Sequence, residues 1–189
     1  TDEIVTGLNG KEVNIDKSYQ NMKKVNRYVE SMIVYDEVLP DISIDYDKYI
    51  VKGNGIKNQV SLVFKVNDNN NINEVNKILN DKSVVGTFFI DGNVVENNMD
   101  LVLKLVNDGN EIENLGYNGG YSVDKLGWTN NMIESLTMKD SNYCYTEYKD
   151  SNILDLCSKN KMYTGKGIAT KLWIGNYTSG KDFKMLAKE

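Results

Sequence analysis

The fold is decided by the stretch Val84-Val85-Gly86-Thr87-Phe88-Phe89-Ile90-Asp91-Gly92-Asn93 and the segment that follows it, up to Asn114. Val84 to Ile90 is a short, continuous apolar run bounded by turn residues, the pattern of a strand buried on both faces. Asn98 then reads as the N-cap of a helix carrying Leu101, Val102, Leu105 and Val106 at helical spacing, and Gly109 stops it. Glu111 to Asn114 predicts a third short strand, and a glycine-rich loop runs from there to Gly127.

Working outward, the same strand–helix unit recurs on both sides. Upstream, Gln59 to Val66 alternates, with Val60, Leu62, Phe64 and Val66 on one face and Lys65 on the other. Asn71 with Glu74 three residues later predicts a capped helix bearing Ile72, Val75, Ile78 and Leu79. Downstream, Thr129 to Met138 reads as a helix, Tyr143 to Thr146 as a strand and Ser151 to Ser158 as a helix, with Lys161 to Tyr163 and Lys171 to Ile174 as weaker strands. Such repetition implies an α/β fold with a parallel sheet. Gly53-Asn54-Gly55 marks a joint. Residues 1–52 are expected to form a small accessory segment with a helix over Lys17 to Tyr28 and alternation over Asp41 to Val51, and residues 53–189 the main domain.

Composition narrows the chemistry. The 189 residues contain no histidine, 26 Asn, one Pro and a single Arg, Arg27. Without imidazole, every mechanism that uses it as base or metal ligand is absent. A net charge of −5 argues against a nucleic-acid-binding face. The loop from Gly116 to Gly127 lacks the lysine and hydroxyl of a phosphate-binding turn, which argues against nucleotides. No apolar run reaches the length of a membrane span. Cys144 and Cys157 read most simply as two buried free thiols, with one disulfide as the alternative for a secreted protein. Asp68-Asn69-Asn70 reads as a turn rather than a calcium loop. Asp91 with Glu111 and Glu113 has the composition of a glycosidase carboxylate pair, but only their separation could support that reading. Trp128 and Trp173 are expected in the core.

The order Val60-Ser61-Leu62-Val63-Phe64, Gly86-Thr87-Phe88-Phe89-Ile90-Asp91-Gly92-Asn93 and Gly109-Asn110-Glu111-Ile112-Glu113-Asn114 resembles the polysaccharide deacetylase family over roughly residues 58–160. There the first strand ends in Thr-Phe-Asp-Asp-Gly, the second reads Ala-Thr-Phe-Phe-Val-x-Gly, and the third leads into Gly-Asn-His-x-x-x-His. The resemblance implies an irregular (β/α) barrel of about seven strands. It also implies metal-assisted removal of an N-acetyl group from a sugar polymer, with an Asp and two His on the metal and a second Asp as base. In this chain the base falls on Lys65, the metal-binding Asp on Val66 and the two His on Leu115 and Gly119. The family's Arg-Pro-Pro-Tyr-Gly loop falls on Tyr145-Thr146-Glu147-Tyr148-Lys149, where only Tyr148 matches. The family's last strand and closing helix are not evident: Lys181 to Glu189 reads as a helix cut off by the chain end, so the barrel is either trimmed or open.

The expectation is therefore a degenerate member that uses neither metal nor cofactor. No catalytic residue is assigned, and Lys65, Val66, Leu115, Gly119 and Tyr145 are vestigial positions. Asn67, Asp91, Asn114, Tyr117, Glu147 and Tyr148 are the candidate ligand-binding residues around the mouth, since tyrosine faces stack on sugar rings and amides bond hydroxyls. Against this stands a plain structural reading, in which Lys65 pairs with Glu113 or Glu147 and fills an emptied site. The resemblance implies an extracellular or cell-surface protein of a bacterial envelope that binds a cell-wall glycan or an envelope protein, with a membrane reached only through an upstream anchor. The alternatives are an active, metal-independent or rearranged carbohydrate hydrolase or deacetylase built from Lys65, Glu147 and the tyrosines, and an interaction module with no glycan affinity.

Overall fold

Alternation along the strands sends Phe64, Val66, Phe88, Ile90 and Ile112 to one face of a parallel sheet, where they join the core under the helices. The intervening Lys65, Phe89 and Glu113 lie in register on the other face. The computed structural model describes residues 2–5, 10–38, 46–53, 61–69 and 71–166. Its strands are β1 (Glu3–Val5), β2 (Gly10–Val13), β3 (Tyr35–Val38), β4 (Tyr49–Lys52), β5 (Val63–Val66), β6 (Thr87–Ile90), β7 (Glu111–Asn114), β8 (Tyr143–Thr146) and β9 (Tyr163–Lys166). The helices are α1 (Ile15–Lys23), α2 (Ile72–Asp81), α3 (Gly92–Asn97), α4 (Met99–Asn107), α5 (Val123–Thr137) and α6 (Ser151–Lys159). Seven strands form one parallel sheet in the order β1-β4-β9-β8-β7-β6-β5. Among the described residues no ladder joins β5 to β1, so the sheet has two edges there. This is the α/β arrangement of a deacetylase-type (β/α) barrel.

Residues 1–52 are not confined to an accessory segment, because β1 and β4 are strands of the main sheet. Among the described residues the antiparallel pair β2–β3, with α1 beside it, stands outside that sheet. The joint at Asn54-Gly55, the alternating residues Ile42 and Ile44, the start of the strand at Gln59 and Val60, and the segments around Trp173 and Lys181 to Glu189 lie outside the described residues.

Helix α2 buries Ile72, Val75, Ile78 and Leu79, and α4 buries Val102 and Leu105, the periodic positions of each. Their caps differ from expectation. Asn71 sits at φ 62° and makes no capping bond, and Asn98 instead donates to the Val94 carbonyl and accepts from Asn69. A short helix, α3, follows β6 immediately and is capped by the Asp91 carboxylate. Helix α5 starts six residues before Thr129, capped by Ser122, and presents Trp128 to solvent at 56 % exposure rather than to the core. A Cβ at Gly92 would overlap the Thr129 hydroxyl and the Tyr117 ring, so glycine is what lets α5 cross the start of α3 closely.

Cys144 and Cys157 are bridged, their Cα atoms 6.1 Å apart, contrary to the reading as free thiols. Helix α6 turns back along β8 and brings its last turn over the strand, which sequence separation alone does not show. Closing a loop of 13 residues is worth about 3 kcal/mol in chain entropy. Leu126 and Met162 pack around the bridge.

Two buried polar knots hold the N-terminal ends of the strands. Asn110 accepts from the Gly86 amide at 3.0 Å and donates to Asn76 Oδ1 at 2.8 Å and to the Leu105 carbonyl at 3.0 Å. Asn76 in turn donates to Asp108 at 2.6 Å. Glu113 is 1 % exposed, and its Oε2 accepts from the Ser141 hydroxyl and the Asn142 and Tyr143 amides at 2.7–2.8 Å. Burial nevertheless dominates and pushes its carboxyl up to about 7 from the ordinary 4.5.

Asn110→Ala removes the acceptor of the Gly86 amide and the donor to Asn76 Oδ1, and we expect a loss of about 2–5 kcal/mol in urea denaturation. An unchanged midpoint would show that water replaces the knot. For Glu113, the folded protein holds the proton more tightly than the unfolded chain between pH 4.5 and about 7. The stability it contributes is full below pH 4.5, falls by about 3 kcal/mol through that window and is level above it. Glu113→Gln should abolish this descent, as read by denaturant midpoints from pH 4.5 to 8; equal slopes in both proteins would refute the assignment.

Candidate functional site

The C-terminal ends of β5, β7 and β8 open onto a cleft of about 290 Å³, at the end of a parallel sheet where sites are usually built. Lys65 and Asn67 supply one side, Leu115 and Gly119 the middle, and Tyr145 to Asp150 with Ile153 the other side. The two walls belong to different structural units.

The first wall is set by β5 and by the loop after β7. Asp91, buried at the end of β6, accepts from the Asn93 amide at the start of α3 and from the Asn118 and Gly119 amides at 2.9 and 2.7 Å. One carboxylate therefore fixes both a helix start and the loop that carries Gly119. Asn114 completes this support: its amide donates to the Leu126 carbonyl at 2.9 Å and to Asn130 Oδ1 at 2.5 Å, and its oxygen accepts from the Gly116 amide at 2.7 Å. Asp91 and Asn114 are thus engaged in scaffolding, buried and outside the cleft lining. Tyr117 lies outside the cleft lining, and its hydroxyl donates to Glu96 at 2.6 Å.

The second wall is the end of β8 and the loop into α6. Lys65 crosses the mouth to Glu147 at 2.6 Å, so its partner is Glu147 and not Glu113. Both side chains keep some exposure, which limits the pair to about 1 kcal/mol or less. Tyr148 is 76 % exposed, whereas Tyr145 is buried against Phe89 at a ring separation of 5.4 Å. Tyr121 donates its hydroxyl to the Tyr145 carbonyl at 2.7 Å. Burial drives the phenols of Tyr121 and Tyr145 above the ordinary range, so both stay neutral. Lys149 is engaged by Asp2 at 2.7 Å and Glu3 at 3.4 Å, tying this loop to β1.

Of the residues singled out in the sequence, the cleft brings together Lys65, Asn67, Leu115, Gly119, Tyr145, Glu147 and Tyr148. Val66 is not among them: it faces the opposite way, into the core under the helices. Tyr121, Thr146, Lys149, Asp150 and Ile153 also line the cleft. Tyr121 stood in the glycine-rich loop as a visible aromatic signal, and Thr146 and Lys149 lie on the family's third motif; Asp150 and Ile153 carry no such signal.

The residues at the family's metal positions do not fit a metal ion. Val66 and Leu115 have no donor atom and Gly119 has no side chain, while Lys65 brings a cation to the position of the base. Among the described residues no three acidic, cysteine or histidine side chains converge on a point. What the cleft offers is a neutral ion pair, an amide and aromatic faces.

Comparison with known proteins agrees with this geometry. The family model described as polysaccharide deacetylase matches residues 52–154. The protein YlxY of Bacillus subtilis (strain 168), itself uncharacterized, is 35% identical over 141 residues, covering 69% of this chain and 44% of its own length. A crystal structure of wild-type BA3943, described as a CE4 family pseudoenzyme from Bacillus anthracis, superposes with a TM-score of 0.61 at 26% identity, covering 86% of this chain and 62% of that one. A BA3943 mutant with restored enzymatic activity gives the same TM-score at 25% identity, covering 85% and 64%. A family 4 carbohydrate esterase from Bacillus anthracis, at 21% identity and a TM-score of 0.60, shares the fold. The chain spans less than two thirds of YlxY and of BA3943. With three consecutive strand–helix junctions kept and the metal-binding side chains replaced, the chain belongs to the polysaccharide deacetylase family as a degenerate member.

Proposed function

We propose that this domain is a catalytically inactive polysaccharide deacetylase-like protein of the bacterial cell envelope whose cleft binds a cell-wall glycan. The observation that carries the reading is the Lys65–Glu147 pair across the mouth: the place of the family's base holds a neutralised cation, yet the cleft beside it remains open. Ion pairs with hydrogen-bonding capacity to spare, the Asn67 amide and the exposed Tyr148 ring are groups that take up sugar hydroxyls and pyranose faces. The Cys144–Cys157 bridge supports an oxidising, extracellular setting, because disulfides persist there and are rare in the cytosol. The likeness to a pseudoenzyme supports inactivity. A protein partner is the second reading, favoured by the exposed Ile15, Tyr19, Tyr28 and Tyr35 around α1 and β3.

The test is acetate release from N-acetylglucosamine oligomers and peptidoglycan, with and without added zinc or cobalt, beside calorimetric binding of the same oligomers. We expect no release above the blank and measurable binding that Tyr148→Ala weakens at least fivefold without changing the melting temperature. Zinc-dependent release would overturn the reading. Absence of any oligomer binding would leave the protein-partner reading.

A further inference from the structure

Seven of the twelve residues that line the cleft lie between Cys144 and Cys157: Tyr145 through Asp150, and Ile153. The disulfide therefore closes a loop that is itself one wall of the site. Tyr145 and Thr146 are held in the sheet by β9 and by the Tyr121 hydroxyl, and the buried Tyr49 phenol bonds the Asp150 backbone; the remaining ties beyond Thr146 are weak or local. Lys65–Glu147 and the pairs of Lys149 with Asp2 and Glu3 are partly exposed ion pairs. Thr146 donates to the Tyr148 carbonyl within the loop, and Asp150 caps the helix that follows it. Helix α6 buries only Cys157, with Ile153 and Leu156 half-buried beside Leu126 and Met162. The opposite wall needs no such bond, since Asp91 holds its loop to α3 with three hydrogen bonds.

We infer that Cys144 and Cys157 are positioning residues for the cleft, and that the ligand-competent wall is a property of the oxidised protein. This rests on the reading of the cleft as a glycan site. Reduction by a dithiol moves two electrons and two protons to the bridge, breaks one S–S bond and yields two thiols, while the dithiol closes to its own disulfide. The strand end at Cys144 stays in the sheet through its pairing with β7 and β9. Helix α6 is released from it, and the loop carrying Glu147 and Tyr148 loses its fixed span. Both sulfurs are fully buried, so the bridge is shielded until α6 opens locally.

The experiment compares the oxidised protein, the protein reduced and alkylated, and the double variant Cys144→Ala with Cys157→Ala. The first readout is amide hydrogen exchange; the second is calorimetric binding of N-acetylglucosamine oligomers. Exchange at residues 147–153 should rise at least tenfold in both bridge-free forms while Phe88 to Ile90 stay protected, and oligomer affinity should fall at least fivefold. Unchanged exchange at 147–153 would overturn the inference whatever the binding result. So would a rise that includes Phe88 to Ile90 equally in both bridge-free forms, because the bridge would then hold the fold and not the wall. If the oxidised protein binds no oligomer, the glycan reading fails while the exchange comparison still decides the role of the bridge.

Discussion

Burial of one face of the parallel sheet beneath α2, α4 and α5 is the constraint on which the rest depends. Phe64 stacks on Phe88 at 4.6 Å, and Val66, Ile90 and Ile112 extend that layer toward Leu79 and Leu105. Because strand side chains alternate, committing these residues to the helices commits Lys65, Phe89 and Glu113 to the opposite face. A slip of one residue would bury Lys65 in the apolar layer, so the register is strongly specified. The same rule turns Val66 away from the cleft even though it is adjacent to Lys65 in the chain.

On that frame the domain keeps the supports of a hydrolase site without the side chains of one. Asp91 and Asn114 still stand at strand ends, where functional groups gather, but each spends its polar atoms on backbone amides or neighbouring side chains. The loop after β7 is held by Asp91, Asn114 and Thr129, yet it presents Leu115 and Gly119. Such a cleft presents the Lys65–Glu147 pair, the Asn67 amide and aromatic faces where the family places its metal and base. The second wall, by contrast, depends on a covalent bond, so the two sides of the cleft have different mechanical origins.

Much of this was legible in the residues. The strands over Glu111 to Asn114 and Tyr143 to Thr146 and the helix from Ser151 follow from short apolar runs and periodic stripes, and they stand where the spacing puts them. The caps were less legible: Asn71 has the residue type of an N-cap but adopts a left-handed conformation and makes no side-chain cap bond, which residue type does not reveal. Helix α3 was invisible because six residues are too few to show a period. Membership of β1 and β4 in the main sheet was equally hidden, since three- and four-residue strands gain their identity from the neighbours they pair with.

The sequence by itself determined the alternating strand–helix order, the kinship with polysaccharide deacetylases and the loss of every metal-binding side chain, because these are matters of residue type and spacing along the chain. Tertiary structure alone decided that Lys65 meets Glu147, that Asp91 and Asn114 hold the loop after β7, and that Cys144 and Cys157 are joined across the loop forming half of the cleft. Residues 82 positions apart become partners only when the sheet sets their strand ends side by side, and no local pattern records that distance.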